Sequence, residues 1–199
     1  MQVSNNARLS ALTIISFLSG ALALLFYSGL EIGLTGFLLQ NPAWIAVVEE
    51  SVKATIALSI LVSIESRNRL ACREYVSIGF FTGFGFGYME SLLIYTPYFW
   101  NRLFTINLLH GLWTLLPVLA YALTKNNQTL GARQVTAVAL SYSMLLHFLY
   151  NKILTVKPEH IFKEVLGGPV FAWNLTGVSV IMLTALAVKA LKKNGLGCK

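Results

Sequence analysis

Apolar runs of about twenty residues recur along the chain, separated by short polar connections. They cover Leu9 to Leu30, Ala43 to Ile64, Tyr75 to Tyr95, Phe104 to Thr124, Gln134 to Leu154 and Val170 to Leu191. Each is long enough to cross the ~30 Å hydrocarbon layer as a helix. The short segments of alternating polarity that mark a transmembrane barrel are absent from the pattern. The expected fold is all-α, a polytopic membrane helix bundle of about six transmembrane helices forming a single transmembrane domain over residues 1–199. The first run is too long for the apolar part of a signal peptide and is read as a span. Between the first two runs, Glu31 to Asn41 is apolar and glycine-containing but too short to cross, so it is expected to lie in the interface or re-enter the membrane.

Composition agrees: 56% of residues are hydrophobic, 12% are charged and the mean hydropathy is +0.67, more apolar than a soluble domain of this length. The net charge of +7 does not point to nucleic acid, because the basic residues sit in short connections rather than along an aromatic-laced stripe. Arg8, Arg67, Arg69, Arg73, Lys125, Arg133, Lys189, Lys192, Lys193 and Lys199 fall on one side of a six-span arrangement. Arg102, Lys152, Lys157 and Lys163 fall on the other. The richer side is cytoplasmic by the positive-inside rule, giving a multi-pass protein of the cell membrane with both termini inside. Cys72 and Cys198 are expected as free thiols, too few for a disulfide framework.

The polar residues inside the runs carry the chemistry. Glu49, Glu50 and Lys53 lie in the second, Glu90 in the third, His110 in the fourth, and His147 with Asn151 in the fifth. Each is costly against lipid and is expected to face the bundle interior. Counted from the outer ends at ~1.5 Å per residue, the glutamates and histidines lie roughly 7 to 11 Å deep, in one layer. Helical spacing pairs Lys53 with Glu49 and Glu50, Phe86 with Glu90, and His147 with Asn151. Gly83, Gly85 and Gly87 remove side-chain bulk where a neighbouring helix or a substrate can approach.

Such a set suits peptide-bond hydrolysis. Glu49 or Glu50 would take a proton from water as general base. Adjacent helical positions cannot both face one water, so one of the two is the base and the other pairs with Lys53 or the backbone; Glu49 is the choice for the base. His147 and Asn151 would donate to the developing oxyanion, with His110 orienting water or protonating the leaving amine. A metal version uses the same residues: Glu90, His110 and His147 as ligands of zinc with an open position. The His-Glu-x-x-His arrangement is absent.

Glu49-Glu50-Ser51-Val52-Lys53 reads E-E-x-x-K, Phe86-Gly87-Tyr88-Met89-Glu90 reads F-x-x-x-E, and His110 and His147 follow on two later helices. In this order the motifs resemble those of PrsW-type intramembrane proteases, relatives of the CAAX prenyl proteases and of a scaffold subunit of γ-secretase. CAAX-type relatives carry E-E-x-x-x-R and F-x-x-x-H, so Lys53 and Glu90 favour the PrsW side, whereas His147 to Asn151 reads H-x-x-x-N as in the CAAX branch. The resemblance implies a membrane-embedded protease acting on a membrane-associated peptide or protein within the lipid bilayer; the expected mechanism is that of a glutamic protease without a cofactor, a zinc-dependent membrane protease being the alternative. It implies Glu49, Glu50, Glu90, His110, His147 and Asn151 as catalytic residues, supported by Lys53 and Phe86. A non-catalytic scaffold of the same fold and a small transporter are the competing classes; the off-centre polar layer and the lack of repeats count against transport. Taken alone, Phe86 reads as core packing, Asn101 and Asn107 as interfacial caps, and Trp44, Trp100, Trp113 and Trp173 as an aromatic belt.

Overall fold

A computed structural model describes residues 5–33, 41–66, 69–96, 99–103, 106–125, 131–155 and 168–193. Among these there are no strands. Six long helices occupy the six expected runs: α1 (Asn5–Gly33), α2 (Pro42–Glu65), α3 (Cys72–Leu93), α5 (Ile106–Thr124), α6 (Ala132–Thr155) and α7 (Gly168–Lys193). A five-residue helix, α4 (Phe99–Leu103), was not expected and precedes α5. Helix α1 continues to Gly33, taking up the first part of the stretch expected at the interface. Residues 34–40, Arg67, Lys157, Lys163, Cys198 and Lys199 lie outside the described residues, as do the side chains of Asn101 and Trp173. Cys72, expected as a free thiol, is disulfide-bonded.

Local signals set the helix starts. The Asn41 side chain accepts from the Ala43 backbone N–H at 3.0 Å and Pro42 occupies the first turn of α2, satisfying one orphan donor and dispensing with another. Glu74 does the same at the start of α3, accepting from the Ala71 N–H at 2.6 Å and pairing with Arg8 of α1 at 2.9 Å.

Helices α3 and α5 form the centre, with α1, α2, α6 and α7 around them. Helix α5 is buried along most of its length, whereas α1 turns Leu18, Leu22, Leu25 and Phe26 outward and α7 turns Met182 and Leu186 outward. Outward-facing apolar side chains on peripheral helices match a hydrocarbon solvent. By length and apolarity alone, two helices among the described residues qualify to cross a membrane, over 6–29 and 106–124. Helix α2 misses that mark because Glu49, Glu50 and Lys53 lie inside it, and all three are buried.

Glycines bring the central helices into contact. A Cβ on Gly83 would lie 2.1 Å from the His110 carbonyl oxygen of α5, and one on Gly87 would lie 2.7 Å from the His110 ring. On another face, a Cβ on Gly85 would meet the Phe17 carbonyl of α1 at 2.2 Å, and Gly20 of α1 is equally close to Thr82. The expected loss of bulk therefore serves close helix packing, the usual role of small residues between membrane helices. Gly83→Ala forces α3 and α5 apart against backbone. It should destabilise the bundle by about 1–3 kcal/mol, read as a lower melting temperature in detergent; an unchanged melt would refute the contact.

At the end of the bundle away from the polar layer, Glu65 of α2 accepts from Tyr75 of α3 and from Tyr121 and Lys125 of the α5 end. Three helices are thus tied at that end by one carboxylate.

Candidate active site

Glu49, Glu50, Lys53, Glu90, His110 and His147 come from four helices and meet as one buried layer, as their common depth implied. Lys53 stands at its centre with no exposure. Its Nζ donates to Glu50 Oε1 at 2.5 Å and to His110 Nδ1 at 2.7 Å, and lies 3.9 Å from Glu49 Oε2. The Phe86 ring packs beneath it, 4.8 Å from the ammonium. Phe86 therefore joins core packing to a cation–π contact with the site.

The two adjacent glutamates have different surroundings. Glu50 is wholly buried and also accepts from His147 Nδ1 at 2.8 Å. Glu49 lines a cavity of about 580 Å³, and its Oε2, 3.9 Å from His147 Nε2, has no hydrogen-bond partner. Glu90, His110, His147 and Asn151 line the same cavity, while Glu50 and Lys53 stand behind its wall.

A lysine ammonium has three donors and no acceptor. His110 Nδ1 must therefore accept from it, which puts the ring hydrogen on Nε2, facing Glu90 Oε2 at 3.2 Å. A carboxylate only accepts, so a His147 hydrogen sits on Nδ1 toward Glu50; in the neutral ring the lone pair is then on Nε2, toward Glu49. These tautomers follow from the network of partners.

Packing fixes the rings. Trp113 is fully buried and stacks on His147, centroids 4.5 Å apart at 19°, and meets His110 edge-on at 5.4 Å. Ser143 of α6 donates to the Trp113 carbonyl at 2.8 Å, holding α6 on α5. Trp113 was assigned to an aromatic belt; it is instead a wall of the site. Trp44 and Trp100 are exposed, as a belt requires. Asn107, expected as an interfacial cap, is buried and accepts from Ser91 at 2.8 Å, joining α5 to α3. Arg102 on α4 was not singled out by the sequence. It lines the cavity and donates from Nη2 to Glu90 at 2.7 Å. An arginine in a connection carries no signal of burial; only the turn made by α4 brings it to the glutamate.

An all-α membrane bundle whose interior holds carboxylates and imidazoles beside a cavity defines a class of membrane-embedded enzymes. The model of the PrsW family intramembrane metalloproteases matches residues 8–188. The chain belongs to that family, and is a protease of the membrane acting on a peptide or protein substrate. No curated protein and no solved structure matches the chain.

The family's description names a metal. Glu49, His110 and His147 offer donor atoms within 4.8 Å of one another, and two histidines with a carboxylate form a zinc-like set. The carboxylate grouped with the histidines is Glu49, where the sequence pointed to Glu90. Glu49 Oε2 and His147 Nε2 are left open, but the hydrogen bonds of His110 do not fit a cation. Both ring nitrogens of His110 are engaged, one by Lys53 and one toward Glu90. A fixed ammonium also stands 2.7 Å from that histidine and 3.9 Å from Glu49.

Proposed function

We propose that the protein is an intramembrane endopeptidase in which Glu49 activates water directly. The observation that carries this reading is the pair of acceptors left facing one another at the cavity wall, Glu49 Oε2 and His147 Nε2, 3.9 Å apart. Two acceptors at that separation call for a donor with two hydrogens. A water at about 2.8 Å from each would subtend an angle of roughly 90°, close to its own. Glu49 takes one of its hydrogens as general base while His147 holds the other and aims the oxygen at the scissile carbonyl. Glu49 then returns the proton to the leaving amine.

This polarity gives His147 the water-orienting role expected of His110. His147 accepts on the cavity side and the His110 Nε2–H is directed to Glu90 Oε2, so the oxyanion contact is assigned to the Asn151 amide, which lines the cavity. Glu50 and Lys53 take no part in proton transfer. They set the tautomers on either side, Glu50 that of His147 and Lys53 that of His110.

The site opens near the outer ends of six membrane crossings, with both termini cytoplasmic, so a membrane-associated substrate is cut near the extracytoplasmic face. The deciding experiment follows cleavage of a quenched-fluorescence peptide library by the purified protein, with and without a strong chelator. Cleavage unaffected by the chelator is expected. Loss on chelation that zinc reverses would replace Glu49-activated water with a metal mechanism. A well-folded wild type that cuts no peptide would favour the scaffold reading.

A further inference from the structure

We infer that Arg102 is a positioning residue for the proposed hydrolysis, acting through Glu90 on His110; the inference rests on that reading. Three contacts hold the guanidinium. Nη2 donates to Glu90 Oε2 at 2.7 Å, Nε donates to Ser91 Oγ at 3.1 Å, and the group lies 3.8 Å over the Tyr95 ring. Ser91 in turn donates to the buried Asn107. A planar fork stacked on an aromatic and bonded at two edges has one orientation, which a lysine does not reproduce.

The oxygen that Arg102 grips is the one facing the His110 ring at 3.2 Å. Glu90 is thereby clamped between α4 and α5, and its acceptor is held where the His110 N–H must point. Lys53 grips the other nitrogen of the same ring. The imidazole is fixed at both ends, by one cation directly and by a second through a carboxylate. The second carboxylate on the cavity wall also acquires a partner, which leaves Glu49 as the wall carboxylate with an unpartnered oxygen. Without Arg102, Glu90 is free to turn toward the water and His110 loses one of its two holds.

The test uses the full chain in detergent and a quenched fluorescent peptide that the wild type cleaves, comparing Arg102→Gln, Arg102→Lys, Glu90→Gln and the Arg102→Gln/Glu90→Gln double variant. A Glu90 free to compete for the water, beside a loosened His110 ring, should lower kcat about 10- to 100-fold in Arg102→Gln, with KM changed less than about twofold. Arg102→Lys, which keeps one charged contact, should recover part of the loss. If Arg102 acts through Glu90, the double variant should be no slower than Glu90→Gln alone. Multiplied losses in the double variant, an unchanged kcat, or a raised KM at constant kcat would overturn the assignment, the last by making Arg102 a substrate contact. Should Arg102→Gln fail to fold, Arg102→Lys decides by the same split of kcat and KM. A wild type that cleaves nothing defeats the protease reading itself, whereas an active wild type matched by Arg102→Gln defeats only the role of Arg102.

Discussion

Glu49→Gln should abolish cleavage, by about 10²- to 10⁴-fold in kcat, while leaving the melting temperature of the purified protein within a degree or two of wild type. The substitution keeps the shape of the side chain and removes its capacity to take a proton. Little stability is at stake, because Glu49 Oε2 has no hydrogen-bond partner and the nearest cation is 3.9 Å away. Replacing a buried carboxylate oxygen that nothing satisfies by an amide is close to neutral, since the desolvation of a charge is relieved as its weak contacts are lost. Thermal unfolding and peptide cleavage measured on one preparation check both halves. Retained turnover in folded Glu49→Gln would remove it as the base.

Lys53→Met should show the opposite balance, a large loss of stability. Among the described residues Lys53 is the cation that contacts both adjacent carboxylates of α2, and it also bonds α5 through His110. Methionine fills the same volume above Phe86 but leaves Glu50, wholly buried, with a hydrogen bond from His147 and without its ion pair. Removing one partner of a buried pair costs about 3–5 kcal/mol, a large share of a typical folding free energy. The expected result is poor yield in detergent and a melting temperature lowered by many degrees. Adding Glu50→Gln to Lys53→Met removes the orphaned charge and should restore much of the stability. A Lys53→Met protein as stable as wild type would mean that the network contributes little to holding the helices.

The sequence shows the polar layer because each of its members interrupts an apolar run. Glu49, Glu50, Lys53, Glu90, His110 and His147 have no reason to be there unless they meet, and the helical rise was enough to put the glutamates and histidines at one depth. The helices were legible for the same reason. What was hidden depended on direction. Trp113 sits inside an apolar run, and nothing in its identity distinguishes a ring in the interface from one stacked on His147. Asn107 sits near the outer end of its helix, where an amide reads as a cap, and its identity does not announce that it is buried against Ser91. Arg102 lies in a connection whose path is set by α4, a helix of five residues with no periodicity to announce it. The histidine roles were not legible either, since a tautomer is decided by its partner, and the partners come from two other helices, α2 and α3.

The bonds that shape the site are also the bonds that join the helices carrying it. Lys53 of α2 reaches α5, Glu50 of α2 reaches α6, and Trp113 of α5 stacks on His147 of α6. On the proposed mechanism, a freshly synthesised chain, with its helices threaded one after another into the bilayer, has no place for a water between Glu49 and His147 until α6 has docked, and hydrolytic power would appear only then. Half-made or damaged copies, whose loose segments mingle with other proteins in the same membrane, carry the residues of a protease without the means to cut their neighbours.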